Sequence, residues 1–129
     1  MRLEDIVKEW TDLGKQDLAT ARFLMTMRPI PFEIIGFLCQ QAVEKHLKAF
    51  LIQNGQEPDK THNLVFLLSG CETYNQEFHA LSDFCSQLNV YAVRTRYPHH
   101  GILDLEMIKK ALAAAQETVA AIAEKLTTE

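Results

Sequence analysis

The sequence has few cysteines, and their arrangement matches none of the common cysteine-based sites. The three cysteines form no C-x-x-C pair, and an odd number suits reduced thiols in a cytosol better than a disulfide framework. Cys39 and Cys85 lie among apolar neighbours. We therefore predict that they are small buried hydrophobic residues.

Long apolar runs and an excess of basic residues are also missing. No run approaches the ~18 residues of a membrane span, and no basic-then-apolar segment at the N-terminus indicates a secretory signal. The formal net charge of −4 argues against a protein that coats nucleic acid non-specifically, since such proteins usually have a basic surface. A local basic site is compatible with this balance. We predict a cytoplasmic protein with no membrane partner.

Glycine and proline are scarce and clustered, and the segments between the clusters have a helical apolar period. A chain of 129 residues is predicted to form a single domain, 1–129, with a core of its own. No segment alternates apolar and polar residues with a period of two, so a sheet is not expected. The predicted fold is all-α, a bundle of four long helices plus one short helix.

Individual helices can be placed from the apolar spacing and the capping residues. Segment 32–54 is apolar around most of its circumference, which predicts the central helix. Thr61 is the predicted N-cap of the short helix, and Asp104 that of the last helix. A fourth helix is predicted from about Asn75, and Pro98 cannot continue it. The apolar seams are predicted at Ile6, Trp10, Leu13, Ala21 and Leu24 in the first helix, at Phe78, Leu81, Cys85, Leu88 and Ala92 in the fourth, and at Leu105, Ile108, Leu112, Ala115, Val119, Ile122 and Leu126 in the last.

The predicted central helix carries one polar stripe. Its residues have the spacing i, i+3, i+4, i+7 and therefore share one face: Gln41, Glu44, Lys45 and Lys48. One interpretation is a solvated strip with weak ion pairs, each worth at most about 0.5 kcal/mol. The other is a pair of lysines that project towards a partner or a phosphate. His46 lies off this stripe and is predicted to be structural or exposed rather than catalytic.

These residues resemble the HEPN domain family. The resemblance rests on "QQAVEKHLKA", a G-x-x-P turn at Gly55–Pro58, "THNL" at the start of the next helix and "RYP" after the fourth. It extends over nearly the whole chain and implies an up-and-down bundle that commonly forms a homodimer. Many free-standing members are encoded beside a minimal nucleotidyltransferase, and the two proteins form a toxin–antitoxin-like pair. His62 matches the histidine of the family's T-H-x-L motif, for which a local hydrogen-bonding role is expected.

The resemblance also implies a ribonuclease branch, whose members carry an arginine followed after four to six residues by a histidine. Arg94 and His99 match this pattern, and His100 meets it with one residue more. Metal-free RNA cleavage needs a base for the 2′-hydroxyl proton and a cation for the phosphate, roles that suit histidine and arginine. The residue after Arg94 is Thr95, where that branch has Asn, Asp or His. The R-Y-P version of nucleotidyltransferase-paired members would instead match Arg96.

Three interpretations of this basic segment follow. Arg94 and Arg96 can cap a helix C-terminus, they can bind a nucleotide or a partner together with Tyr97, or Arg94 can cleave RNA with His99 or His100. We predict the HEPN half of a HEPN/nucleotidyltransferase module that binds nucleotide or RNA around Lys45, Lys48 and the basic segment. The alternatives are a metal-independent endoribonuclease and a docking module without catalysis. No cofactor or metal ion is expected, because there is no G-x-x-x-x-G-K loop and no histidine spacing typical of zinc.

Overall fold

The structure, a computed structural model, describes residues 2–94 and 103–126, with the backbone alone for residues 93 and 94. Three helices of 22 residues each make up most of the described chain, and shorter elements lie between the second and the third. In chain order the elements are α1 (Leu3–Leu24), α2 (Phe32–Gln53), α3 (Leu64–Glu72), a 3₁₀ helix (Gln76–Leu81), α4 (Ser82–Asn89), α5 (Tyr91–Arg94) and α6 (Leu105–Leu126). No β-strand occurs in these two ranges, which confirms the all-α bundle.

The helix α2 is the central element, as its apolar circumference predicts. It packs against α1, α3, α4, α5 and α6, and most of its residues from 35 to 51 are buried. Leu47 and Leu51 reach the core that α3 and α6 complete. Most polar side chains in the buried part of α2 therefore need a hydrogen-bond partner inside the protein.

The contact between α1 and α2 depends on a glycine. A Cβ atom added at Gly14 would lie 2.6 Å from the Cε1 and Nδ1 atoms of His46, so a side chain at position 14 would displace the imidazole. The buried residues of α1 are Gly14, Leu18 and Ala21. The predicted seam was wrong at Leu13, which is 51% exposed, because the close approach at Gly14 turns its neighbour towards solvent.

The predicted fourth helix is divided into three pieces. Asn75 caps the 3₁₀ helix by accepting a hydrogen bond from the Glu77 backbone N–H at 2.9 Å, and α4 begins at Ser82. The predicted stripe is nevertheless buried throughout, from Phe78 to Ala92. A 3₁₀ turn has three residues per turn, so it presents positions 78 and 81 on the same side and keeps the apolar face continuous.

Capping residues explain where two helices begin. Asp104 accepts a hydrogen bond from the Met107 N–H at 2.9 Å, which confirms it as the N-cap of α6. The cap predicted at Thr61 was wrong: Asn63 caps α3 and accepts from the N–H groups of Val65 and Phe66. Thr61 instead accepts from the N–H of Asn63 at 3.1 Å and so orders the turn before the cap.

Among the described helices, none combines the length and the apolar character that crossing a membrane requires.

Candidate functional site: a buried carboxylate network

The polar stripe of α2 is largely enclosed by the protein. Glu44 and Lys48 are 4% and 7% exposed, and Gln41 and Lys45 are half-buried. The interpretation of a solvated strip is therefore wrong. The small energy of a surface ion pair does not apply to these residues. When one partner of a buried ion pair is removed, the other charge is left buried and unpaired, which is costly.

Glu44 is the centre of the network. Its Oε1 atom accepts from Gln40 at 3.3 Å, from Gln41 at 3.2 Å and from His62 Nδ1 at 2.9 Å. Its Oε2 atom accepts from the Lys48 ammonium group at 3.1 Å. One carboxylate thus receives four donors, which satisfies both of its oxygens and balances its charge with Lys48.

His62 is the exposed member of this network. Its side chain is 59% exposed although its Nδ1 atom bonds to the buried carboxylate. An ionised carboxylate can only accept, so Nδ1 is the donor and Nε2 is left as an acceptor or a site for a second proton. The arrangement holds an imidazole in a fixed orientation with its free nitrogen open to solvent.

The turn that carries His62 is also fastened to the end of α4. Gln40 donates to the His62 carbonyl oxygen at 2.7 Å, which joins the turn to α2. Asn89 accepts from the Leu64 N–H at 2.8 Å and donates to the Asn63 side chain at 3.1 Å. Because Asn89 is the last residue of α4, the network reaches the chain two residues before α5 begins.

The helix α5 is the described start of the basic segment, and a glycine allows it to pack on α2. A Cβ atom added at Gly36 would lie 2.5 Å from the ring of Tyr91, so the ring lies directly against the α2 backbone. Arg94 ends α5 and its side chain lies outside the described residues, as do Arg96, Tyr97, His99 and His100. Their predicted roles stay predictions.

The two lysines predicted to bind phosphate are both paired inside the protein. Lys48 donates to Glu44, and Lys45 donates to Asp17 on α1. The structure does not bring them together as free cations on one surface. A phosphate at either lysine would have to compete with a carboxylate that already holds the ammonium group.

The sequence of the chain matches the family model of the HEPN domain over residues 7–126. The chain belongs to the HEPN domain family. This confirms the resemblance that "QQAVEKHLKA", the G-x-x-P turn and "THNL" indicate.

Two solved structures have the same fold. The crystal structure of TT1696 from Thermus thermophilus superposes with a TM-score of 0.79 at 23% identity, covering 92% of this chain and 97% of that one. ST0689, described as an archaeal HEPN homologue, gives a TM-score of 0.72 at 20% identity and covers 94% and 98%. No significant match is found among curated proteins. At these identities the likeness shows the fold alone.

Within this HEPN domain, several residues of the network were not identified from the sequence. Gln40 opens the motif "QQAVEKHLKA", but its contact with the His62 carbonyl lies 22 residues away along the chain and was not foreseen. Asn89 carries no pattern of its own, and its partner Leu64 lies 25 residues away. Asn63 could have been found, since Asn is as good an N-cap as Thr and stands next to the first apolar residue of α3. In the described part of the HEPN chain, no group of three His, Cys, Asp or Glu residues is placed to hold a metal ion.

Proposed function

We propose that this chain is the HEPN half of a two-component module with a minimal nucleotidyltransferase, and that it binds RNA or a nucleotide. The binding residues are proposed to be His62 and the basic segment with Arg94, Arg96, Tyr97 and His99. The carrying observation is the hydrogen-bonded connection from Glu44 through His62 and Asn63 to Asn89, which fastens an exposed imidazole to the chain just before that segment.

The pairing of the lysines with carboxylates supports this assignment. Lys48 and Lys45 are paired with carboxylates, so they support the site from within and do not supply its free positive charge. The arginines of the segment have the planar donor groups that suit phosphate oxygens. The stripe lysines are thus proposed as supports, and the segment as the part that contacts the ligand.

The proposal is tested by measuring RNA binding to variants that lose the same positive charge at different positions. Labelled single-stranded RNA is titrated at several salt concentrations in excess chelator with the wild type and with Arg94→Ala/Arg96→Ala. We expect the double variant to bind about tenfold or more weakly and to lower the slope of log affinity against log salt by about two, one per phosphate contact.

Lys109→Ala/Lys110→Ala is the matched control, because it removes the same charge from exposed positions of α6. Its affinity should stay within about twofold of the wild type. Lys45→Ala tests the stripe directly. If the stripe variant loses as much affinity as the arginine variant, or if the wild type binds no RNA at low salt, the proposed site is wrong.

The module itself is tested by assembly. Co-expression with a minimal nucleotidyltransferase from the same genome should yield a stoichiometric complex, and light scattering of the HEPN chain alone should give the mass of a homodimer. A monomer that does not co-purify with the transferase would contradict the two-component assignment.

A metal-independent endoribonuclease is the second candidate, with Arg94 and His99 or His100 as its catalytic groups. The His62–Glu44 pair favours it, because an imidazole oriented by a buried carboxylate is suited to proton transfer and would act beside these groups. Structured RNA in excess chelator should then be cut by the wild type to cyclic-phosphate ends, and not by Arg94→Ala/His99→Ala/His100→Ala. Intact RNA with both proteins, each folded, would remove this candidate.

A further inference from the structure

A cleft that is lined by Lys48 but not by His62 lies beside α1. It has a volume of about 520 Å³ and is enclosed by α1, the C-terminal half of α2 and the loop 55–60 that follows α2. This volume lies within the range of small-molecule sites, ~300–1,000 Å³. Of the residues proposed above to contact RNA, only the side chain of His62 is described, and it does not line this cleft.

One wall of the cleft is aromatic and apolar. Leu3, Ile6 and Trp10 have the spacing i, i+3, i+7 and so present one face of α1 to the cleft, opposite Ile52 of α2. The Lys48 ammonium nitrogen lies 5.8 Å from the centre of the Trp10 ring, within the range of a cation–π contact. This contact fixes the indole in position as part of the wall.

Lys48 supplies hydrogen-bond donors at the floor of the cleft. An ammonium group has three donors, and among the described residues its hydrogen-bond acceptor is the Oε2 atom of Glu44. The residue lines the cleft although it is only 7% exposed. A ligand acceptor placed there would meet a largely dehydrated donor, where a hydrogen bond is stronger than in water.

The charges around the cleft exclude a strongly anionic ligand. Lys48 is balanced by Glu44, and the exposed Lys60 stands beside two acidic residues of the same loop, Glu57 and Asp59. The two ammonium groups that line the cleft are thus offset by Glu57 and Asp59 in its wall and by Glu44 behind Lys48, so the described lining offers no excess positive charge for phosphate groups. The loop carboxylates can accept hydrogen bonds from amino groups of a ligand.

We infer that this cleft binds an uncharged, planar heteroaromatic ring that carries a carbonyl acceptor for Lys48 and amino donors for the loop, as a nucleobase does. The ring packs against Trp10, since bases of any sequence stack favourably on aromatic side chains. This inference does not depend on the proposed RNA contacts.

Trp10 is the sole tryptophan of the chain, so its fluorescence reports on this cleft alone. The wild type is titrated with guanosine, cytidine, adenosine and uridine, and with guanosine triphosphate, and calorimetry repeats each titration without relying on the indole. We expect saturable quenching by guanosine or cytidine, which carry both a carbonyl and an amino group. The triphosphate should bind no more tightly than the nucleoside.

Two variants and one control test whether Lys48 and the space beside Ile52 form the nucleoside site. Lys48→Met keeps most of the side-chain stem and removes the donor, and should weaken nucleoside binding about tenfold, the effect of one hydrogen bond to a charged group. Ile52→Phe fills the cleft without touching Glu44, and keeps the test valid should Lys48→Met unfold. Lys45→Met is the same chemical change three residues away, outside the cleft, and should bind as the wild type does.

Any one of four outcomes would overturn the inference. These outcomes are no saturable signal with any of the four nucleosides, unchanged binding by Ile52→Phe, equal losses in Lys48→Met and Lys45→Met, or tighter binding of the triphosphate than of guanosine. Nucleoside binding together with failed RNA binding would contradict the proposed function only. RNA binding without nucleoside binding would contradict the cleft only.

Discussion

At the scale of single residues, His46 shows how the protein tolerates a polar side chain in its core. The residue is fully buried, and its Nδ1 atom lies 2.7 Å from the Ala42 carbonyl oxygen. Its Nε2 atom has no hydrogen-bond partner within the described residues. Burial is the largest influence and lowers the pKa of His46 below its usual 6.5. The hydrogen bond to Ala42 and the charge of Asp17 oppose this shift and Lys15 adds to it, so the net pKa is lowered and the neutral form is favoured.

This lowered pKa predicts a loss of stability in mild acid. Above pH 6.5 the imidazole is neutral in both the folded and the unfolded chain, and it adds no pH dependence. Below about pH 6.5 the unfolded chain takes up the proton first, so the free energy of unfolding should fall. The fall from this one group should be at most about 1.4 kcal/mol per pH unit and should continue down to the folded pKa. Urea unfolding between neutral pH and mild acid measures it.

A His46→Gln variant is the comparison, because glutamine is neutral and can donate to the Ala42 carbonyl. Other histidines and carboxylates titrate in the same range, so the difference between the two proteins isolates His46. An identical pH dependence in both would show that position 46 does not cause the loss.

The sequence predicts the residue types of the α2 stripe but not their burial. The i, i+3, i+4, i+7 pattern looks the same whether a helix face meets water or a neighbouring helix. Lys48 is covered by α1 and the loop at Gly55–Lys60, and Glu44 is covered in part by His62. The approach of these segments depends on long-range packing that spacing does not encode.

At the scale of helices, local signals predicted the long elements well and the connections less well. The steps of three and four residues placed α6 and its Asp104 cap, and the apolar circumference of segment 32–54 placed α2. The 3₁₀ helix at Gln76–Leu81 was missed, because residues 78 and 81 satisfy a 3₁₀ and an α-helical period equally.

The N-terminus of α3 gives a prediction at this scale. Asn63→Ala removes the acceptor of two backbone N–H groups and of the Asn89 amide, so it should lower the free energy of unfolding by about 1–2 kcal/mol. Thr61→Ala, at the cap position that the sequence suggested, should cost about 0.5 kcal/mol or less. Chemical denaturation of both variants measures this, and a larger loss for Thr61→Ala would contradict the observed cap.

At the scale of the whole molecule, the three cysteines mark one shared core. Cys39 lies on α2, Cys71 on α3 and Cys85 on α4, and all three are buried free thiols. Burial raises the pKa of each to about 12. The thiolate is the reactive form, so these groups should be inert in the folded protein at neutral pH.

This predicts that thiol reactivity follows global unfolding. In a chromogenic disulfide reagent at neutral pH, native protein should give almost no signal, and all three thiols should react over the same urea range in which far-ultraviolet circular dichroism is lost. One thiol that reacts well before the helices unfold would show that its helix opens separately from the rest.

The overall HEPN fold could be predicted from the sequence because each long helix carries an apolar pattern of helical period, and Asp104 marks the start of α6. The candidate site could be predicted only in part. Glu44 and His62 were visible as motif residues, but their contact joins positions 18 residues apart, and the roles of Arg94, Arg96, Tyr97, His99 and His100 lie outside the described residues.

The central position of α2 has a consequence for the order in which the chain can fold during synthesis. One side of α2 packs on α1, its neighbour in sequence, so that helical hairpin can form as soon as both helices have left the ribosome. The other side packs on α6, which begins only at Leu105. Until then the face of α2 that packs on α6 lacks its final cover, and we expect this interval to be when the nascent chain most needs protection from aggregation.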